Sequence, residues 1–550
     1  MTNDGLLSPG DYQRVLTTSL TGNLVQSALG TYGADLDLKR GIADRIDVSG
    51  TAALSGVVAI NLLDPANTVQ AAKPGTQDIV LLRAAGGASQ LGLSLVAPNT
   101  AVMGYSLHYP NGTDVVLRSM LDFAPAGLVG GNQAAVAAAV NAIQTAQSSP
   151  RFGPIATALF FQPNATALGA AYDSLSGSAT SGGQQASFAA NDNFMASAGR
   201  QAAFWLSGDK IDTSGYSVTT GNAAGSQFEG YSGLGGPVAK LRTSQDVTQS
   251  PGTNRWRFWS MGFAGTASTA GNTAIGSAAF SQRGAGASAG VDFQTSPNVL
   301  VGFASGGGGY GFSSPGRATS GTSESVHIST YAAYRNGPFY ISGTLAASIF
   351  DNEISRFAAI GGTTVQMSGG AFGIAGLAEN LKGRFTSRAI SGDFEAGFRL
   401  RAGAFEVTPF AGIQFSTLRS DAYGESLATG GESLLGLFYS GRVTKSLPTS
   451  VGLQIKADTD LASKMVLSSW ARAAWRHEWT TDRSTESAFL AAPGFNFAVR
   501  GALPAENSLR TSIGARLTID PKVSLFTSFD GDFSKSGSGY TGSAGVRIKL

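Results

Sequence analysis

The sequence lacks cysteine and contains little charge. None of its 550 residues is a cysteine, which excludes disulfides, thiolate chemistry and cysteine-ligated metals. Charged residues make up 13%, about half of the roughly 25% that is typical of globular proteins. The formal net charge is only +2 and no basic stripe dominates, so the composition does not indicate nucleic-acid binding. Glycine is abundant instead, with 74 residues, which favours long β-structures with crowded turns.

Long apolar runs and clustered histidines are absent as well. No uninterrupted stretch of ~18 apolar residues occurs, so the sequence predicts no transmembrane helix. The histidines, His108, His327 and His477, are far apart and lack the spacing of metal ligands. Residues 306–311 match Gly-x-Gly-x-x-Gly formally, but no helix follows them, which argues against phosphate binding. We therefore predict no catalytic residues, no metal site and no cofactor.

From residue 255 onward, apolar and polar residues alternate in one segment after another. In residues 507–519, for example, Leu509 and Ile513 share one face whereas Arg510 lies on the other. A period of two predicts strands with one apolar and one polar face. Charges on the polar face of many strands argue against a sandwich, whose inner faces are apolar. They favour a barrel with lipid outside and water inside.

The alternating segments predict an all-β fold in which about twelve strands form an antiparallel transmembrane barrel. The predicted strands cover residues 255–267, 275–294, 298–311, 323–335, 339–351, 388–401, 405–417, 437–457, 464–480, 507–519, 522–532 and 540–550.

The connections between these strands alternate in length. Tight turns such as residues 336–338 alternate with long polar connections over residues 352–387, 418–436 and 481–506. Short turns on one rim and long loops on the other are typical of outer-membrane barrels, whose short turns face the periplasm. We expect residues 495–499 to belong to a long loop, because a further strand would make the strand count odd.

The chain before the barrel predicts two further regions. Residues 1–130 contain short strands, separated by Gly, Asn and Asp turns, at about the spacing of a β-solenoid coil, and we interpret them as a solenoid end. Residues 131–253 read as a helical and Gly/Ser-rich linker, and residues 254–550 as the barrel. The helix predicted over residues 186–206 is a candidate to occupy the barrel lumen. The alternative is that it packs at the periplasmic mouth or outside the barrel.

Polar and aromatic residues of the predicted strands suggest a lumen and a rim. Trp256, Trp259, Trp475 and Trp479 are expected to form aromatic girdles at the membrane interfaces, although aromatics are also common in ordinary strands. The polar faces supply the charged residues that we expect to line the lumen, namely Asp393, Glu395, Arg399, Arg401, Glu406, Arg472, Arg476, Arg510 and Arg516.

Several segments, together and in order, resemble the translocator domain of autotransporters, the type V secretion family. The resemblance covers residues 165–550 well and residues 1–130 loosely, as the end of a solenoid passenger. The segments that carry it are residues 170–177, 256–263, 286–293, 300–304, 407–412, 470–479 and 493–501.

The last strand resembles the outer-membrane assembly signal of this family. The matching residues are Ser543, Gly545, Ile548 and Leu550, a polar residue and glycine followed by two spaced apolar residues. Such families commonly end in Phe or Trp, and Leu550 departs from that pattern, which predicts weaker recognition. The alternative is a last strand that merely alternates.

The resemblance implies a non-enzymatic translocator in the bacterial outer membrane that moves its N-terminal passenger to the cell surface. It implies outer-membrane lipid, the barrel assembly machinery, the inner-membrane export channel and periplasmic chaperones as partners of a monomeric barrel. Exported proteins carry a signal that the residues after Met1 lack, so we expect the natural start to lie upstream. The alternatives are a porin or diffusion channel, and a surface adhesin whose passenger is mostly missing here.

Overall fold

The computed structural model describes residues 1–10, 14–98, 100–128, 130–208, 255–367, 370–462 and 465–550. In these residues a three-sided β-helix comes first, a helical segment follows, and a β-barrel comes last. The Gly/Ser-rich linker predicted up to residue 253 falls mostly on residues 209–254, which lie outside the described part of the chain.

Twelve antiparallel strands, numbered here β1 to β12, close into one barrel. The last strand pairs with the first, for example Lys549 with Arg257, so the sheet continues around the whole circumference. This confirms the predicted fold class and strand number. The strands are β1 Trp256–Thr269, β2 Phe280–Ser296, β3 Val299–Ser314, β4 Thr319–Asn336, β5 Phe339–Ile360, β6 Leu377–Phe398, β7 Phe405–Ser420, β8 Pro448–Ala462, β9 Met465–Glu478, β10 Asn507–Thr518, β11 Val523–Phe533 and β12 Gly537–Lys549.

The outer surface of the barrel is apolar over a continuous belt. On β5, Ile341, Leu345 and Ile349 point outward and are exposed, whereas Ser348 between them points inward and is buried. The same alternation holds on β12, where Ile548 is exposed and Arg547 is buried. An apolar exterior around a polar interior is the arrangement that lipid requires of a spanning barrel.

Two strands extend far beyond the belt on the side of the long connections. Residues 352–387, predicted as a polar loop, instead continue β5 to Ile360 and begin β6 at Leu377. The hairpin Thr363–Met367 and Gly370–Ile374 joins their tips. The prediction was wrong because the apolar outer face stops above the lipid. There, cross-strand ion pairs such as Arg384 with Glu353 occupy the outer face.

A small four-stranded sheet covers the long-loop rim. It contains Tyr423–Gly424, Leu437–Tyr439, Ser484–Phe489 and Asn496–Arg500. Most of residues 495–499, expected in a loop, therefore belongs to the strand Asn496–Arg500, but that strand lies outside the barrel and leaves the number of barrel strands even. The segment predicted as one strand over residues 437–457 is divided. Its first part joins this sheet, Arg442–Ser446 pairs with β7, and β8 starts at Pro448.

The N-terminal strands stack into three parallel sheets, one on each side of a β-helix. One sheet contains Thr2–Asn3, Leu24–Gln26, Ala52–Leu54 and Ala88–Gln90; the second Leu6–Leu7, Thr31–Asp37, Val57–Leu62 and Ser94–Val96; the third Thr17–Leu20, Arg45–Val48 and Gly75–Ala84. Met103–His108 and Asp114–Leu121 add an antiparallel hairpin to the third sheet, and Ile42–Ala43 pairs with Thr31–Asp37.

Five helices connect and follow these sheets in the described residues: α1 Pro65–Ala71, α2 Gly131–Ala146, α3 Gly153–Phe160, α4 Ala165–Leu175 and α5 Gly182–Leu206. Helices α2 to α4 lie between the β-helix and the long-loop rim of the barrel. One apolar core runs through the β-helix, these helices and the rim sheet. Phe152 packs edge-on against Phe489 of the rim sheet, with ring centroids 5.2 Å apart. None of the described helices is both long and apolar enough to cross a membrane. The short strands Leu400–Ala402 and Ser426–Leu427 and three short 3₁₀ turns complete the described elements.

An ion pair joins the last hairpin of the β-helix to the sheet that the hairpin extends. Arg83 and Asp114 are directly opposite each other in register and share two hydrogen bonds of 3.0 Å. The guanidinium lowers the pKa of Asp114 from its ordinary value of 3.8. A lowered folded-state pKa contributes stability that is present above pH 3.8 and is lost as the pH falls through the folded value.

We therefore predict that Asp114→Asn loosens this hairpin at neutral pH and has little effect in acid. Hydrogen exchange of the Asp114–Leu121 amides is expected to be faster in the variant at neutral pH by a few-fold, about 1 kcal/mol. Below the folded-state pKa the ratio of the two rates is expected to approach one. A difference that persists in acid would contradict the role of the charge. Asp64→Asn, at the N-terminus of α1, is a suitable control substitution.

Candidate functional site

Helix α5 runs through the barrel from one rim to the other. Its first residue, Gly182, packs against Phe312 near the end of β3, on the long-loop side. At its other end the carbonyl of Leu206 accepts a hydrogen bond from Arg399, next to the tight turn between β6 and β7. The structure thus places the helix predicted over residues 186–206 in the lumen and extends it to Gly182. Residues 182–206 of α5 therefore lie neither at the periplasmic mouth nor outside the barrel.

A polar network holds the middle of α5 against the wall. The Nδ2 of Asn191 donates to Ser391 on β6 at 2.9 Å, and its Oδ1 accepts from Ser348 on β5 at 3.0 Å. Ser348 in turn lies 2.7 Å from Nδ1 of His327, whose ring stacks on Phe194 of the helix. All of these groups are buried, so each hydrogen bond replaces one that water would otherwise supply. His327 is therefore a structural residue of the helix–wall contact.

The second half of α5 is bound to β2, β11 and β12, close to where the first and last strands pair. Ser197 lies 2.9 Å from Ser288 on β2, oxygen to oxygen. Arg200 donates to Asp530 on β11 at 3.2 Å and to Ser543 on β12 at 3.0 Å. Together with the Asn191 network, these contacts specify both the rotation and the depth of the helix.

A glycine-rich stretch of β3 makes room for the helix. An added Cβ on Gly306 would lie 3.1 Å from Cδ2 of Phe194 and 2.6 Å from the carbonyl oxygen of Ala287. Gly308, also facing inward, would place a Cβ 2.5 Å from the oxygen of Ala285. The Gly-x-Gly-x-x-Gly match thus marks a wall that a helix approaches closely.

A cavity of about 250 Å³ separates the other side of α5 from strands β5 to β11. Arg472 pairs with Glu395 there and covers the ring of Phe410 at 3.6 Å. Arg510 pairs with Asp532 at 3.4 Å. The predicted lumen residues that line this cavity are Asp393, Glu395, Arg399, Glu406, Arg472, Arg476, Arg510 and Arg516, and Arg200, Lys456 and Asp530 join them.

Arg401 does not share this position. It lies on Leu400–Ala402 beside the tight turn, opposite Glu406 in register, and its side chain is exposed. Arg401 is therefore not one of the residues that line this cavity. It shares a face with Glu406, but it lies at the tight-turn end of the barrel, where the lumen opens to solvent.

The aromatic residues divide between the two faces of the wall. Trp256 lies at the tight-turn end of β1 and Trp475 and Trp479 at the long-loop end of β9, and all three are exposed. Trp259 is only 3% exposed and donates its indole N–H to Tyr331 inside the barrel, at 2.8 Å. Residues three apart on a strand face opposite sides. The rim prediction for Trp259 is therefore wrong.

The residues of the expected assembly signal also divide between the faces. Ile548 and Leu550 are exposed on the outer surface, whereas Ser543 is buried against Arg200 in the lumen. Close packing around Gly545 explains why this position is a glycine. An added Cβ would lie 2.4 Å from the ring of Phe526 and 2.4 Å from the oxygen of Ser260.

Several residues that contact α5 were not predicted from the sequence. Arg335, Lys456, Ser288 and Gly306 each face inward by strand parity, but the sequence does not show which inward residues meet a helix. The available signal was the basic residue next to a tight turn, which Arg335 and Arg399 share. In the described residues no group of three or more His, Asp or Glu side chains is arranged to hold a metal ion.

A closed barrel with an apolar exterior, tight turns on one rim, and a lumen occupied by a helix of its own chain defines an outer-membrane barrel with an internal plug. The family model described as "Autotransporter beta-domain" matches residues 258–530, from β1 to β11. The barrel of this chain therefore belongs to the autotransporter β-domain family. It is an outer-membrane translocator of type V secretion, as the resemblance implied.

The comparisons with individual proteins are more distant. The translocator domain of the autotransporter NalP from Neisseria meningitidis shows 18% identity and a TM-score of 0.42, over 54% of this chain and 89% of that chain. The transport unit of the autotransporter AIDA-I from Escherichia coli shows 12% identity and a TM-score of 0.37, over 56% of this chain and 93% of that one. No curated protein matches the sequence. Membership in the family follows from the matched residues 258–530.

Proposed function

We propose that this chain moves its N-terminal β-helix through its own barrel and displays it at the cell surface, with α5 remaining in the lumen afterwards. The observation that carries the proposal is the direction of α5. Its N-terminal end lies at the long-loop rim, beside the helices that lead back to the β-helix, and its C-terminal end lies at the tight-turn rim. Since tight turns face the periplasm in such barrels, the β-helix lies on the outer side.

The chemistry of the lumen supports passage of a polypeptide. Serines, threonines and glycines line much of the wall opposite the charged cavity, and they present small polar groups to a transiting backbone. Backbone amides that leave water need such partners or retained water. The work is mechanical and requires no bond-making step or cofactor. We further propose that the chain acts as a monomer in outer-membrane lipid, delivered by the inner-membrane export channel and periplasmic chaperones and inserted by the barrel assembly machinery.

Epitope labelling on intact cells tests this orientation with a matched pair of insertions. Gly92 lies in a turn of the β-helix and Gly403 in the tight turn between β6 and β7. Both have positive φ, and a Cβ added to either would contact no atom within 4 Å. We expect an epitope after Gly92 to be labelled on intact cells, and one after Gly403 only after permeabilisation.

Heat-dependent gel mobility of the barrel serves as the control that both insertions leave it assembled. If only the Gly403 epitope is labelled on intact cells, the proposed orientation is wrong and the tight turns face outward. If neither epitope is labelled until the cells are permeabilised, the β-helix is not displayed. That result would favour the diffusion channel with a periplasmic domain.

A further inference from the structure

Four basic side chains converge on the last turn of α5. Each donates to a different carbonyl, and the four carbonyls are consecutive along the chain. We call these side chains the basic collar: Arg516 donates to Phe204 at 3.3 Å, Arg335 to Trp205 at 3.1 Å, Arg399 to Leu206, and Lys456 to Ser207 at 2.9 Å.

The positive charge and the N–H donors of the collar are complementary to the C-terminal end of a helix. The last four carbonyls of an α-helix have no partner within the helix, and the aligned peptide dipoles leave a partial negative charge there. The collar supplies a cation to each of these positions. Two of its members also contact the side chains of the same turn, since Arg335 lies 4.3 Å from the ring of Trp205 and Arg516 lies 5.2 Å from the ring of Phe204.

The collar is attached to the barrel at a defined height. Arg335 also donates to the carbonyl of Pro297 at 3.3 Å, and Arg399 to that of Gly337 at 2.9 Å, and both acceptors lie in tight turns. Lys456 pairs with Asp458 on its own strand at 3.1 Å. The four members come from β4, the β6–β7 connection, β8 and β10, and they therefore approach the helix from several sides of the lumen.

We propose that the basic collar is the docking site that stops α5 and sets its final depth in the barrel. A segment in transit presents either extended backbone or paired helical carbonyls. Only the end of a helix presents consecutive carbonyls that lack the usual amide partner four residues on, although the carbonyl of Trp205 here also accepts from the N–H of Gly208 at 3.2 Å. The rings of Phe204 and Trp205 add contacts with Arg516 and Arg335, so the collar fits the end of α5 in particular. Its members are positioning residues for translocation. The stopping role rests on the proposed function, whereas the docking itself does not.

Disulfide reporters can measure the depth of α5, because the chain has no cysteine of its own. Ser197 and Ser288 are in contact in the docked position, so the pair Ser197→Cys and Ser288→Cys reports docking. If α5 moves outward by one helical turn, about 5.4 Å, Gln201 reaches the height of Ser197. The pair Gln201→Cys and Ser288→Cys therefore reports the shifted position.

The test compares the variant Arg399→Gln/Lys456→Gln with Arg510→Gln in full-length chains assembled in cells. Arg510 lines the same cavity but pairs with Asp532 and does not reach the helix end, so it is a matched control for loss of charge. We expect the ratio of docked to shifted disulfide to fall about tenfold or more in the double variant, because two charge-assisted hydrogen bonds are lost. The ratio in Arg510→Gln is expected to remain that of the parent.

An unchanged ratio in the double variant, or an equal fall in Arg510→Gln, would overturn the proposal. If the double variant fails to assemble, Lys456→Gln alone decides the question with the same reporters, and Lys456→Arg is expected to restore docking. Surface labelling of the Gly92 epitope in the parent chain separates the two hypotheses. Absence of that epitope from the surface contradicts display, whereas the disulfide ratio reports docking whether or not the β-helix is displayed.

Discussion

Replacing Arg356 by methionine is expected to destabilise the structure above the barrel by about 3–5 kcal/mol. Arg356, near the long-loop end of β5, donates to Glu425 at 2.9 and 2.5 Å, and the two side chains are only 2% and 1% exposed. Its Nη1 also donates to the carbonyl of Ser174 in α4 at 2.7 Å. Without Arg356 the carboxylate stays buried with no cation beside it, and α4 loses a contact with the barrel.

Hydrogen exchange of the α4 amides and of Leu437–Tyr439 measures this effect as a local opening free energy. Arg384→Met is the matched control, because Arg384 of β6 pairs with Glu353 of β5, on the same strand as Arg356, but the two side chains are 76% and 36% exposed. An exposed pair of this kind contributes less than about 1 kcal/mol. Removing Glu425 together with Arg356, as Arg356→Met/Glu425→Gln, is expected to recover part of the loss. Equal effects of Arg356→Met and Arg384→Met would contradict the importance of burial.

Gly306→Val is the second substitution with a large expected effect. Its branched side chain would occupy the space of the Phe194 ring and of the Ala287 carbonyl, so the wall and α5 cannot both keep their positions. Overpacking of this kind typically costs about 1–3 kcal/mol. We expect α5 to be displaced, and the yield of the disulfide in the reporter pair Ser197→Cys and Ser288→Cys to decrease several-fold.

Ion conductance of the purified barrel in planar bilayers provides a second measurement for Gly306→Val. A displaced helix opens the lumen, so the conductance is expected to rise. Gly309→Val is the matched control on the same strand, since Gly309 faces outward and an added Cβ contacts no atom within 4 Å. Conductance and cross-linking that are equal in the two variants would show that the helix does not depend on the glycine wall.

The correct prediction of the barrel strands and the missed extensions of β5 and β6 have the same physical origin. The side chains of a strand alternate with period two wherever one face meets lipid and the other water, so the lipid-crossing segments were visible in the sequence. Above the lipid the outer face is polar, and the inner face, with Ile354, Ala358 and Leu381, is buried in the core. The extensions of β5 and β6 therefore lacked the apolar outer face by which the lipid-crossing segments were recognised. The error at Trp259 was of another kind, since parity itself places Trp256 and Trp259 on opposite faces.

The sequence by itself determined the number of barrel strands, the alternation of tight and long connections, and the presence of a helix before the barrel, because each depends on residues close together in the chain. Only the tertiary structure decided that α5 lies inside the lumen and that Arg335, Arg399, Lys456 and Arg516 meet its last turn. These cations come from separate strands, and local spacing carries no information about which inward-facing residues a distant helix will contact. The closed geometry of the barrel supplies that information.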